Sequence, residues 1–320
     1  MSADLASRPA RRATVRRAAR HRLLARRRLE LALLLGPALL LFGAFVLAPI
    51  GIAAYYSLHE WSGFGPISDF VGFDNYRRAF EDDVFRGAIS HNLIIAGLSL
   101  LIQLPLAIAL ALLLNRRLRG QGVLRLIVFA PYVLSEAITA VLWLLLLQPD
   151  GAVDQTLQAV GLGGLVQPWL ADRDIVLYTM FAVVTWKYIG FGIILLLAGL
   201  QGIPSELRDA AAIDGASPWQ ATRYVILPLL GPTIRIWIFL SIIGSLQLFD
   251  IVWIMTGGGP AGSSATMATY LIDRGFRRYQ FGYGSAVAVI LFLICFVFAL
   301  LYQRYALRRD TRGALAQGVG

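Results

Sequence analysis

Among its 320 residues the sequence has one cysteine, three histidines and one lysine. Cys295 lies inside an apolar run, so an intrachain disulfide and a cysteine-built metal site are both excluded. His21, His59 and His91 are scattered, without the His-Glu-x-x-His spacing of a metalloprotease. The single lysine, Lys187, sits in Val-Thr-Trp-Lys-Tyr-Ile. A phosphate-binding loop needs lysine after glycine and before serine or threonine, and this chain has none. If ATP drives the protein, another subunit must bind it. Charge is also scarce: 15% of residues are charged, against about 25% in an ordinary soluble domain.

Apolar residues fill the space that charge leaves. They make up 58% of the chain, and mean hydropathy is +0.66. Residues 31–58 and 88–115 are each 28 residues long without a formal charge. A bilayer-spanning helix needs about 20. Six segments of this kind emerge, at 31–58, 88–115, 124–148, 175–201, 229–256 and 285–307. They predict an all-α integral membrane protein with six transmembrane helices. Glu136, Lys187, Arg235 and Asp250 are isolated charges within the third, fourth and fifth segments.

Arginine distribution predicts the orientation. Residues 1–30, 116–125, 202–228 and 304–320 hold ten, four, two and four arginines. Residues 59–87, 149–174 and 257–284 hold three, one and three, together with most of the acidic residues. Cytoplasmic loops keep the basic excess, so both termini are expected in the cytoplasm. The chain then divides into an Arg-rich tail at 1–30, a six-helix domain at 31–307 and a second tail at 308–320. The basic start invites a nucleic-acid arm or a transit peptide as readings. Serine is sparse and a full-length span follows at once, so a polybasic stretch touching anionic lipid is the reading kept.

The loop at 202–228 carries the most information. Ser205 is placed to cap a short helix, with Glu206 and Asp209 near its positive end. Gly215 suits the left-handed residue that ends it, and Ser217-Pro218-Trp219-Gln220 restarts a helix with a capping box. Pro228 is expected to close that second helix before the fifth span. Ala210, Ala211, Ala212, Gly215 and Ala216 form a surface of little bulk, edged by Glu206, Arg208, Asp209 and Asp214. Such a surface suits close approach by a partner groove; an amphipathic linker on the membrane surface is the plainer alternative.

Here the residues resemble a family. Asp209-Ala-Ala-Ala-Ile-Asp-Gly215-Ala216, followed by Val225-Ile-Leu227-Pro228, is similar to the signature loop of bacterial binding-protein-dependent ABC importer permeases. Asp209 stands where glutamate is usual and Val225 where isoleucine is usual, each keeping charge or shape. Phe70-Val-Gly-Phe-Asp-Asn-Tyr76, Leu197-Ala-Gly-Leu-Gln201 and Thr256-Gly-Gly-Gly-Pro260 resemble the carbohydrate branch, the maltose- and glycerol-phosphate-type permeases.

The resemblance implies type I importer architecture with a cytoplasmic coupling helix, in a bacterial inner or plasma membrane. Glu206, Asp209, Ala210, Ala211, Gly215, Ala216, Leu227 and Pro228 would then meet an ATP-binding cassette ATPase dimer. A second homologous permease would complete the pore, and an extracytoplasmic solute-binding protein would deliver a sugar. This chain would hold no catalytic residue, metal or cofactor.

Ionisable groups at membrane depth usually face a cavity or a partner. Candidate pathway residues are therefore Glu136, Lys187, Gln247, Phe249, Asp250 and Trp253. For Glu136 and Lys187 a mutual or intersubunit ion pair is the alternative. Asn92 and Gln103 are expected to hydrogen-bond between helices. A secondary transporter would call for internal repeats, and none is visible. An intramembrane enzyme would need a nucleophile with its base, or a metal set, and the spans show neither.

Overall fold

The spans form as helices because a chain in hydrocarbon must satisfy its backbone polar groups internally. The computed structural model describes residues 33–67, 69–116 and 119–307. Both tails, 1–30 and 308–320, lie outside the described residues. The chain divides into two units at Tyr55–Tyr56. Among the described residues, the first unit consists of the first span, within a helix over Leu33–Tyr56 that is apolar on every face.

In the second unit the chain begins with a short hairpin, β1 (His59–Glu60) paired antiparallel with β2 (Asp69–Phe70). Buried Asn75 holds this corner by donating to the carbonyls of Ser57, at 2.9 Å, and His59, at 3.0 Å. The Tyr76 and Ser57 hydroxyls are 2.6 Å apart. These contacts show what the Phe70–Tyr76 stretch does locally: it closes the hairpin. Asp82 then caps the second span, accepting from the Val84 and Phe85 amides.

The long spans are Asp83–Leu114, Val176–Gln201, Gly231–Met255 and Phe281–Ala306. Their ends fall within a few residues of the apolar runs. The third span departs from expectation. It is two helices, Gln121–Val133 and Glu136–Leu146, bent by 101°. Leu134 and Ser135 are extended there, and the Ser135 hydroxyl accepts from the Ile138 amide as the cap of a new helix. A capping serine inside an apolar run thus restarts the helix in another direction. Counted as one crossing, the pair brings the total to six.

The fifth span is interrupted at residues 247–249, between Gly231–Leu246 and Asp250–Met255. Close approach elsewhere depends on glycine. A Cβ on Gly190 would lie 2.5 Å from the Val128 carbonyl oxygen, and one on Gly192 would strike the Trp237 indole. Small residues at such crossings let helices pack in lipid, where burying apolar surface gives no advantage. Apolar clusters fill the interior, including one around Met180, Val183 and Ile251 and another around Ile193, Leu196 and Leu230.

Candidate functional site: a cavity framed by two broken spans

Interrupting a helix in a membrane frees carbonyls that must find other donors. At the third span the donor is Lys187, which is almost fully buried. Its ammonium donates to the carbonyls of Pro131, at 3.4 Å, Tyr132, at 3.1 Å, and Leu134. The rings of Tyr132 and Tyr188 each lie 5.8 Å from it. At the fifth span the donor is Asn92. Its amide donates to the carbonyls of Ser245, at 2.6 Å, and Leu246, at 3.4 Å, while its oxygen accepts from the Met267 amide. Thr266 donates to the Leu248 carbonyl at 2.7 Å.

Both breaks open onto one cavity of about 350 Å³, a size within the range of about 300–1,000 Å³ typical of small-ligand sites. Tyr132 and Glu136 flank the first break and line it. Gln247, Leu248, Phe249 and Asp250 line it from the second break. Tyr188, Phe191, Trp237, Ser241, Ser99 and Gln103 complete most of the wall. Tyr132 stacks on Phe191 with centroids 5.2 Å apart. The lining thus combines hydroxyls, amides, carboxylates and aromatic faces, a set able to hydrogen-bond a polyhydroxylated molecule and cover its apolar faces.

The candidates taken from sequence separate here. Glu136, Gln247, Phe249 and Asp250 share the cavity wall. Trp253 stands behind it, stacked on Phe249 at 5.6 Å, with the Arg277 guanidinium 5.7 Å from its ring. Lys187 is behind the wall as well. Glu136 and Lys187 do not form the mutual ion pair of the alternative reading: Lys187 is engaged by carbonyls, and Glu136 accepts from the Tyr188 hydroxyl. Asn92 is the interhelical tie expected of it. Gln103 is not: its side chain makes no hydrogen bond among the described residues. The signal that sequence reasoning missed is its spacing, four residues after Ser99, on a π-helical turn over Ser99–Gln103.

The second feature is the hairpin between the fourth and fifth spans. A helix over Glu206–Ile213 ends at Gly215, whose φ is +80°. The Gly215 amide donates to Ala212 and the Ala216 amide to Ala211, satisfying carbonyls at the helix end. The Ser217–Gln220 capping box forms with both of its bonds. Two details differ from expectation. The Ser205 side chain makes no capping bond, because its backbone is already helical. Pro228 does not close the second helix: the chain passes through a π turn at Thr222–Ile226 and stays helical to Leu229, Pro228 lying where a missing amide is tolerated. Glu206, Asp209, Ala210 and Gly215 are exposed, and Ala211, Ala216 and Leu227 are partly so. Beside them Ile213 is 86% and Trp219 70% exposed, two large apolar side chains that reading for small residues passed over.

At the opposite end of the spans, Thr256–Pro260 folds as a tight loop closed by the Thr256 and Ser264 hydroxyls, 2.8 Å apart. Nearby, Arg274 pairs with Asp82 at 3.1 Å. Burial, reinforced by hydrogen bonds to Tyr283 and Asp82, raises the pKa of the Tyr270 hydroxyl above its ordinary value.

Broken spans around a polar cavity and a self-capped hairpin of small residues define a polytopic membrane permease. Comparison with known proteins gives the family. Residues 103–311 match the binding-protein-dependent transport system inner membrane component family, and the chain belongs to it. It is 33% identical over 280 residues to the permease protein NgcF of the diacetylchitobiose uptake system of Streptomyces coelicolor, covering 83% of this chain and 79% of that one. It is 34% identical to the lactose transport system permease protein LacF of Rhizobium radiobacter, covering 86% and 93%. A solved bacterial alginate ABC transporter, in complex with its alginate pentasaccharide-bound periplasmic protein, contains a chain of the same fold. The TM-score is 0.76 at 25% identity, covering 88% of this chain and 96% of that one. The protein is a permease subunit of a binding-protein-dependent importer.

Proposed function

We propose that the chain forms half of the translocation pore of an ATP-driven sugar importer. A second, homologous permease supplies the other half, and a solute-binding protein outside the membrane delivers the sugar. The hairpin at 202–228 faces the cytoplasm with both termini, and its Glu206–Ala216 segment docks on an ATP-binding cassette ATPase dimer. ATP hydrolysis belongs to that dimer, and this chain needs no cofactor.

The observation that carries this reading is the join between cavity and hairpin. The fifth span starts at Gly231, directly after the hairpin, and its first helix ends at Leu246 beside Gln247–Asp250 on the cavity wall, so a single helix joins the end of the hairpin to the wall. The relatives named as permeases for diacetylchitobiose and lactose support a carbohydrate cargo. The test is reconstitution of the chain with its partner permease, ATPase and binding protein, followed by uptake of radiolabelled lactose, maltose or diacetylchitobiose. ATP-dependent uptake of at least one is expected. Uptake that follows an ion gradient without the ATPase would make this a secondary transporter instead. Reporter fusions at Asp83 and Ser205 should show opposite sidedness; the same sidedness at both defeats the orientation.

A further inference from the structure

Two buried side chains of the second span are not tied into the fold by hydrogen bonds. Ser99 and Gln103 are 2% and 3% exposed, yet neither side chain makes a hydrogen bond among the described residues. Both line the cavity between the broken spans. They are displayed by the π turn at Ser99–Gln103, just ahead of Pro105, which has no amide to continue the regular ladder. Their polar atoms are not sealed away and keep a little accessible surface, and an amide in an apolar span is costly unless something there bonds to it. With so little surface showing elsewhere, the partner has to come from what fills the cavity. An amide offers two donors and an acceptor and a hydroxyl offers both, which matches the mixed character of sugar hydroxyls.

Charge on the remaining wall narrows the cargo. Glu136 and Asp250 line the cavity with the pair, and no arginine, lysine or histidine does. Asp250 makes no hydrogen bond or ion pair among the described residues, while Glu136 accepts only from Tyr188. Lys187, held by carbonyls behind the wall, offsets part of the Glu136 charge, which leaves Asp250 as the unpaired carboxylate of the wall. Carboxylates accept hydrogen bonds from hydroxyls but repel another carboxylate, and the repulsion grows where water is excluded.

We propose that Ser99 and Gln103 are the hydrogen-bonding wall for an uncharged, hydroxyl-rich segment of the cargo, and that Glu136 and Asp250 turn away acidic sugars. The alginate transporter that shares this fold is involved in the import of an acidic polysaccharide; the wall described here disfavours such a charge. This inference rests on the sugar-importer reading and adds the class of sugar and two residues that read it.

The test uses the assembled importer carrying Cys295→Ala, which removes the only cysteine, together with Gln103→Cys. A charged, membrane-impermeant thiol reagent should label position 103. Tens of millimolar lactose or diacetylchitobiose should slow labelling by about tenfold, the effect of a site that is mostly filled, while digalacturonate should not. No labelling, protection by none of the sugars, or equal protection by digalacturonate would each overturn the proposal. In the cysteine-containing chain, Gln103→Leu should lower kcat/KM for uptake by about tenfold with the amount of assembled complex unchanged, as expected when a buried cargo hydroxyl loses its partner. Ser99→Ala, a smaller change, should have a smaller effect in the same direction. Wild-type uptake unaltered by Gln103→Leu would sink this inference alone. A wild-type complex that takes up none of the sugars tested counts against the importer reading, and the labelling arm still decides the wall.

Discussion

The Lys187 ammonium lies 3.1 Å from the Tyr132 carbonyl oxygen, so the only lysine of the chain serves as a helix cap. The next residue, Tyr188, donates to Glu136 on the far side of the same break. Two consecutive residues of the fourth span therefore hold both ends of the interrupted third span. This pins the 101° bend and sets Glu136 on the cavity wall.

Replacing Lys187 by methionine should leave three carbonyls, one buried and two partly buried, without their donor. An unsatisfied buried group costs about 1–3 kcal/mol, so the loss should reach several kcal/mol if nothing rearranges. The expected outcome is a lower thermal midpoint for the detergent-solubilised complex, with Lys187→Arg retaining part of the stability. A midpoint unchanged in Lys187→Met would show that water or another donor serves the break equally well.

Gly190 makes a steric prediction. Its missing Cβ leaves room for the Val128 carbonyl oxygen, which a side chain would meet at 2.5 Å. Gly190→Val should push the third and fourth spans apart, at about 1–3 kcal/mol or more for overpacking. Size-exclusion profiles of the solubilised protein should show less folded material, whereas Gly97→Val, with open space around it, should behave as wild type.

Much of this was legible in the sequence because span number and hairpin punctuation are local signals. Apolar runs of about 20 residues mark crossings, and Gly215 and Ser217-Pro218-Trp219-Gln220 each specify a turn or a cap through their own chemistry. The breaks were not legible in the same way. Ser135 is an ordinary polar residue in an apolar run until Leu134 and Ser135 turn extended. Lys187 reads as a partner for Glu136 because both are charged, but its bonds go to backbone carbonyls, which every sequence carries and no sequence marks. Gln103 reads as interhelical glue for the same reason: only packing decides whether an amide meets another helix or a cavity.

Gln247 offers a test of the wall at the second break. Its side chain lines the cavity, and its backbone amide closes the preceding helix on the Ile243 carbonyl. Gln247→Leu keeps that backbone bond and removes the polar head. Uptake of the transported sugar should fall by about tenfold, the usual scale of a lost hydrogen bond to a buried polar ligand group, with the amount of assembled complex unchanged. Unaltered uptake kinetics would assign Gln247 to packing.

The hairpin makes the most direct claim on the ATPase. Gly215 sits at φ +80°, a conformation that costs a residue with a Cβ about 1–2 kcal/mol, and more if branched. No atom lies within 4 Å of where its Cβ would be, so strain rather than collision governs the outcome. Gly215→Val should therefore misdirect the chain between the Glu206–Ile213 helix and the fifth span, uncoupling ATP hydrolysis from uptake or releasing the ATPase. Gly215→Asn, which tolerates the left-handed region, should retain most of the coupling. Asp209 is exposed at the first turn of the same helix, so Asp209→Lys should weaken ATPase association if the carboxylate meets a basic partner residue. Pull-down of the ATPase and the ratio of ATP hydrolysed to sugar taken up check both effects. If Gly215→Val and Asp209→Lys keep wild-type values in both measurements, the hairpin is a linker on the membrane surface, and force must reach the fifth span by another route.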